Sequence, residues 1–195
     1  MPDLSVSDWM AAHYAPAELS QWASTFATMS DVWDAAPEHW RIWIACSPGV
    51  LSDAVLRGFA IWSASQVSEW VNAYGVAALA AAAAYASGTG SIGDMTTART
   101  AAFASIQSLR GADACASMAA ALTCHTVGQW AMPCAHNAAV AARIGAIAAE
   151  VAAAAEAGDT MHPSDLVSVG ATAFVAAATA QADWLLENVT PDFSA

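Results

Sequence analysis

Apolar-rich runs follow each of the Ser-Asp dipeptides at Ser7-Asp8, Ser30-Asp31, Ser52-Asp53 and Ser164-Asp165. An N-cap hydroxyl and a first-turn carboxylate complement the free N–H groups and the positive end of a helix, so four helix starts are marked. Pro16 and Pro37 suit the first turn of further short helices. Gly88, Gly111 and Gly158 follow alanine-rich or Leu-Arg segments, where a left-handed C-cap is wanted. The pattern predicts helices near 7–14, 16–28, 31–45, 52–72, 75–87, 94–110, 112–130, 133–157 and 164–189. Alanine, the strongest helix former, is the commonest residue, and strand-like β-branched or aromatic runs are missing apart from short pieces such as Trp40 to Ile44. The expected class is all-α, a compact multi-helix bundle.

Laying Tyr74-Gly75 to Gly88 over Ile144-Gly145 to Gly158 aligns two alanine-rich helices that both close on glycine. Asp94, Met95, Ala102 and Phe103 then fall on Asp165, Leu166, Ala173 and Phe174 after a one-residue loop adjustment. Either an old duplication of a helix–turn–helix unit or chance matching of alanine-rich helices produces that pattern. Tryptophan is unevenly spread: Trp9, Trp22, Trp33, Trp40, Trp43, Trp62 and Trp70 precede Trp130 and Trp184. Alanine faces let helices approach closely but supply little volume, so the indoles are expected to fill the gaps between Trp-rich helices over about 1–72 and an Ala-rich bundle over about 73–190. One shared core, and hence one domain over residues 1–195, is expected.

The hydrophobic content of 57% in 195 residues is ample for a core and argues against disorder. A formal charge of −12, from 17 acidic residues against five arginines and no lysine, leaves no basic groove for duplex nucleic acid. An acidic exterior instead steers the chain towards a protein target with a basic surface, or simply keeps it soluble. The start, MPDLSVSDW, lacks basic residues and an apolar region, so no secretory signal is expected and a cytoplasmic location follows. The longest uninterrupted apolar stretch, Val76 to Ala86, is shorter than the ~18 residues of a span, so no membrane helix is expected. Cys46, Cys115, Cys124 and Cys134 are too sparse for a disulfide scaffold and read as reduced core thiols.

His39, Trp40, Arg41 and Trp43 form the densest aromatic and polar cluster. Indole faces there can stack on a base while the guanidinium meets a phosphate; the alternative is core indoles beside a solvated arginine. Arg57, Arg99, Arg110 and Arg143 either pair with carboxylates at helix surfaces or, with Trp62, converge on an anion-selective cavity. Cys124-His125 and Cys134-Ala135-His136 invite a zinc reading, but adjacent Cys124 and His125 point about 100° apart on a helix, so no metal is expected. No nucleophile elbow, phosphate-binding loop, dinucleotide fingerprint or His-Glu-x-x-His occurs, and no cofactor or catalysis is expected. A base at His125 or His136, assembled only in three dimensions, is the enzymatic alternative.

Between Pro37 and Ile106 the segments Leu51 to Ala60, LSDAVLRGFA, and Ala80 to Gly88, AAAAAYASG, resemble alanine-rich helical proteins of phage and bacterial genomes, uncharacterised or described as immunity proteins. Members of that group are arginine-rich along those helices and carry cysteine pairs near the Phe-Ala segment, where this chain has serine and alanine. The resemblance implies a non-enzymatic helical inhibitor, an immunity or phage anti-defence protein, that occludes a basic protein partner. The excess of tryptophan supports a second expectation, a sponge that sequesters a small nucleotide signal in a Trp- and Arg-lined pocket. Flat alanine-rich faces also favour a homodimer.

Overall fold

The computed structural model describes residues 4–157 and 163–193. The chain is all-α: α1 (Val6–Ala12), α2 (Ala17–Ala23), α3 (Met29–Ala35), α4 (Glu38–Ala45), α5 (Asp53–Ser65), α6 (Ala73–Ala86), α7 (Ile92–Ile106), α8 (Gly111–Thr123), α9 (Ala131–Ala157) and α10 (Pro163–Asn188). Single 3-10 turns at Ser68–Trp70 and Gly128–Trp130 complete the described elements, and no strand occurs among them.

The carboxylates of the Ser-Asp pairs sit in first turns, but the caps fall elsewhere than expected at two of them. Ser52 does cap α5, accepting from the Val55 N–H. At α1 and α3 the cap lies two residues earlier than the pair, at Ser5 and Thr28, and Asp8 and Asp31 occupy the third turn position. In α3 the Asp31 carboxylate reaches back to the Thr28 N–H, a reciprocal capping box that α7 repeats with Ser91 and Asp94. The start of α10 precedes Ser164, so its cap lies outside the described residues, as does Gly158. Pro16 and Pro37 are N-caps of α2 and α4 rather than first-turn residues.

Four predicted helices prove too long, each for a local reason. Pro37 forces Ala36 into extended backbone, ψ 130°, and this splits the expected 31–45 helix into α3 and α4. In α2, Ser24 and Thr25 hydroxyls donate to the Gln21 and Trp22 carbonyls at 2.7 and 2.9 Å and compete with further backbone turns. Gln66 Nε2 and Ser65 Oγ likewise take the Trp62 carbonyl at the end of α5, and Thr123 and Thr126 take the Ala120 and Thr123 carbonyls at the end of α8. Gly88, φ +75°, follows α6 in the left-handed geometry expected of it, whereas Gly111, φ +56°, opens α8 instead of closing α7.

The first helix ends without glycine. Tyr14 N–H donates to Ala11 O and Ala15 N–H to Met10 O, a reciprocal C-terminal pair that places Tyr14 at φ +54°. Its side chain is 92% exposed, so no packing offsets that left-handed backbone. Tyr14→Gly is therefore expected to stabilise the fold by about 0.5–1 kcal/mol, read as a higher urea midpoint. A lower midpoint would mean that the ring makes a contact worth more than the strain.

The principal core joins Trp9, Met10, Leu19, Trp33, Ile42 and Ile44 of the short helices to Leu56 and Phe59 of α5, to Ala135, Ala138 and Ala139 of α9 and to Leu185 of α10. Phe193 packs edge-on against Trp9 at 5.8 Å, and the Asp192 N–H donates to Val50 O, which ties the C-terminal segment to the first helices. A second cluster forms among α6, α7 and α8, and a third among α5, α8 and α9. Small residues set the helix spacing: a Cβ on Gly145 of α9 would stand 3.4 Å from the Ala116 nitrogen of α8, and one on Gly75 of α6 would stand 3.4 Å from Ala120 Cβ. The two glycines aligned by the sequence offset thus both press on α8.

By length and composition, the stretches Gly128–Ala157 and Ser164–Asn188 are apolar enough to cross a membrane, because scattered polar residues that interrupt an apolar run barely lower its average. The first includes α9, which packs against α5, α8 and α10.

Candidate functional site

Three helices each bring a polar residue inward on a mostly apolar face, which in α5 also holds buried Arg57. In α5 the buried stripe Leu56, Phe59, Ala60, Ala64 includes Ser63; in α9 the stripe Ala135, Ala138, Ala139, Ala142 includes Arg143; in α10 the stripe Ala178, Ala182, Leu185 includes Gln181. Spacings of three and four residues keep such positions on one helix face, so the packing that buries the alanines carries the polar groups inward with them.

These residues meet at a cavity of about 750 Å³ between the three helices, a volume typical of small-molecule sites. All three are more than nine-tenths buried, and each has an atom without a hydrogen-bond partner: Ser63 Oγ, Arg143 Nε and Gln181 Oε1. Buried polar atoms in native proteins are paired in the large majority of cases, and of the four exceptions among the described residues all but Arg57 Nε converge on this cavity, which calls for a common cause. The Gln181 amide is fixed, since its Nε2 donates to Ala139 O at 3.0 Å and leaves Oε1 as an acceptor.

Arg143 carries the electrostatics. Its guanidinium carbon lies 5.2 Å from the centre of the Phe174 ring, a cation–π contact that only partly replaces hydration. Burial pushes its pKa down, opposed by the Cys46 sulfur. Burial in turn pushes the Cys46 pKa up to about 12 despite the Arg143 charge, so at neutral pH the neighbour is a neutral thiol. An arginine stays protonated nonetheless, and a buried cation without a counterion costs several kcal/mol by the usual estimates. Small aliphatic residues, among them Ala146, Val169, Ala173 and Ala177, form the walls, and the exposed carboxylates Glu150 and Asp165 stand at the rim.

Of the residues expected to line a site, only Arg143 reaches this cavity. Arg41 is neither solvated nor a phosphate hook: it is buried, and its Nε and Nη2 donate to the Trp33 and Asp34 carbonyls at the end of α3. Burial lowers its pKa, and Glu38, Asp183 and Asp34 oppose the shift. His39 is exposed against half-buried Trp40, with ring centres 4.4 Å apart, while Trp43 meets Trp9 edge-on. Arg57 donates to Thr126 O at 2.9 Å and lies over the Tyr85 ring, bolting α5 to the chain beyond α8. Trp62 stacks on Trp184. Arg99 is half-buried on α7, and exposed Arg110 donates to the Gln107 and Leu109 carbonyls. Sequence reasoning missed Ser63 and Gln181; a polar residue on an apolar stripe was the available signal.

A smaller cavity of about 450 Å³ lies between the first helices and the start of α9, lined by His13, Tyr14, Trp43, Cys46 and His136 among others. Burial first, and the Arg143 charge second, lower the His136 pKa, against a hydrogen bond with Asn137 that raises it. Burial and Arg99 lower that of His125. Unfolded imidazoles take up a proton near pH ~6.5, the folded ones only at lower pH, so between those values the unfolded chain holds more protons. Stability is thus full above about pH 6.5 and falls as the pH drops towards the folded pKa values. The urea midpoint is expected to fall between about pH 7 and pH 5, and His136→Gln to flatten part of that slope. A wild-type midpoint that rises on acidification would contradict the burial of both rings.

The zinc reading finds no support in the positions of its thiols and imidazoles. Cys124 Sγ donates to Ala78 O, His125 stacks on Trp130, and among the described residues no three His, Cys, Asp or Glu side chains gather into a metal-binding group. The four cysteines are free thiols, three of them buried. No protein family model, curated protein or solved structure matches the chain.

Proposed function

We propose that this is a non-catalytic binding protein that takes up one small anionic molecule in the α5–α9–α10 cavity, with Arg143 as its counter-charge. The observation that carries the reading is the buried guanidinium of Arg143, whose Nε has no hydrogen-bond partner, beside a cavity of ligand size. A ligand anion would restore to Arg143 the pairing that burial removed, and binding that stabilises only the folded state follows by mass action. The tryptophans do not take part, since Trp40 and Trp62 pack against the core and against Trp184, so sequestration rests on charge and aliphatic walls and not on base stacking. Denaturing extraction of the purified protein followed by mass spectrometry tests it. A stoichiometric small anion in the wild type, missing from Arg143→Met, is expected. Equal recovery from both proteins would remove the reading, as would no gain in thermal midpoint with any of phosphate, AMP and alkyl carboxylates.

A second reading, an acidic inhibitor of the immunity or anti-defence kind that covers a basic protein, draws on the placement of charge. Arg41, Arg57 and Arg143 are buried, whereas the described acidic residues are exposed apart from half-buried Glu38. The exterior is thereby almost purely negative, which favours encounter with a basic partner. Affinity capture with the wild type and with a variant carrying lysine at Asp34, Glu69 and Glu187 tests it. A basic protein held by the first and released by the second is expected; equal capture counts against it.

A further inference from the structure

We propose that the α5–α9–α10 cavity selects an amphiphilic monocarboxylate: an extended aliphatic acid with a hydroxyl or amide N–H close to its carboxylate. This rests on the reading that the cavity holds a small anion, and it names the class of that anion.

Charge number comes first. Arg143 is the one cationic side chain lining the cavity among the described residues, while Glu150 and Asp165 stand at its rim. A single guanidinium matches the single charge of a carboxylate. A phosphate monoester or pyrophosphate would bring a second negative charge with no partner, next to two carboxylates that repel it. The unpaired Nε–H matters as well, because Nε together with an Nη is the edge on which a guanidinium meets both oxygens of a carboxylate side-on.

The walls decide the body of the ligand. Ala146, Val169, Ala173 and Ala177 offer aliphatic surface, and among the described residues no aromatic side chain lines the cavity on which a nucleobase can stack. The lining residues of α10 run from Asp165 to Gln181, which at about 1.5 Å per residue spans roughly 24 Å. A slot so long, walled by alanine and valine, suits an extended alkyl chain, whose burial is the favourable term.

The remaining two polar atoms decide the substituent. Ser63 Oγ is free to donate to a carboxylate oxygen. Gln181 Oε1 is different: the Nε2 bond to Ala139 O fixes the amide, and the unpaired Oε1 is an acceptor, so its partner must be a donor. A plain fatty acid has none, whereas a hydroxy acid or an N-acyl amino acid has one close to the carboxylate.

Calorimetry on the full chain with 3-hydroxydecanoate, decanoate, 1-decanol and AMP tests the inference. Expected is binding of 3-hydroxydecanoate, about fivefold weaker binding of decanoate, at least about thirtyfold weaker binding of 1-decanol, and no heat with AMP. In Gln181→Met the two acids should bind equally, a loss of discrimination that a merely structural role for Gln181 would not produce. Arg143→Met should abolish binding of both acids. Ala177→Leu should also abolish it by filling the slot while leaving Arg143 in place, which keeps the test valid if one variant folds poorly. Arg143-dependent binding of AMP or inorganic phosphate without either acid overturns the ligand class and leaves the anion reading standing. No binding by any probe, or 3-hydroxydecanoate held equally by Arg143→Met, overturns both.

Discussion

Arg143→Met is expected to raise the thermal midpoint of the ligand-free protein by about 4–8 °C, corresponding to about 2 kcal/mol. A methionine has nearly the length of the arginine stem and needs no counterion, so the change removes an uncompensated buried charge and keeps the packing on Phe174 and the α10 alanines. The lost cation–π contact, worth about 1 kcal/mol, is already deducted from that figure. Differential scanning calorimetry checks it. A gain in stability together with a loss of ligand is the signature of a functional group held at the expense of the fold. If the variant melts lower than the wild type, Arg143 is a structural residue and the binding site is wrongly placed.

Arg41→Leu should do the opposite and lower stability by about 2–3 kcal/mol, measured as a fall in urea midpoint at unchanged slope. Arg41 and Arg143 are almost equally buried, 7% and 6% exposed, yet they differ in what they touch. Arg41 supplies donors to the Trp33 and Asp34 carbonyls, and without it the Trp33 carbonyl would keep only the 3.4 Å bond from the Ala36 N–H. Its charge is also balanced by Glu38, Asp34 and Asp183, each of which draws its pKa upward. Leucine fills the apolar part of the space but restores neither effect. Equal responses of the two variants would show that burial alone, and not hydrogen bonding, governs these arginines.

The pair shows why the site was only half legible. Arg143 stood among the expected binding residues, but so did Arg41, Arg57, Arg99 and Arg110, and nothing in their neighbours along the chain separates them. A carbonyl eight residues back holds Arg41, and one sixty-nine residues on takes one Nη of Arg57, whose Nε stays unpaired away from the cavity. No local pattern records a partner at that distance. Trp62 finds Trp184 across the fold in the same way, so an indole expected at a pocket becomes wall for its neighbour.

Helix ends show the same division at smaller scale. Ser52 and Gly88 behave as their types require, because capping depends on groups within three or four residues. Tyr14 takes a left-handed backbone that no residue preference would assign to it, and Pro37 breaks a run whose apolar pattern continues across it.

By itself the sequence determined the helical class, the acidic charge and most helix positions, since propensity, capping and patterning act over a few residues and need no partner across the fold. Tertiary structure alone decided which cations are satisfied and which is left facing a cavity. Pairing and desolvation depend on what α5, α9 and α10 bring within about 3–5 Å of one another, and Ser63 of α5 lies more than a hundred residues before Gln181 of α10 along the chain.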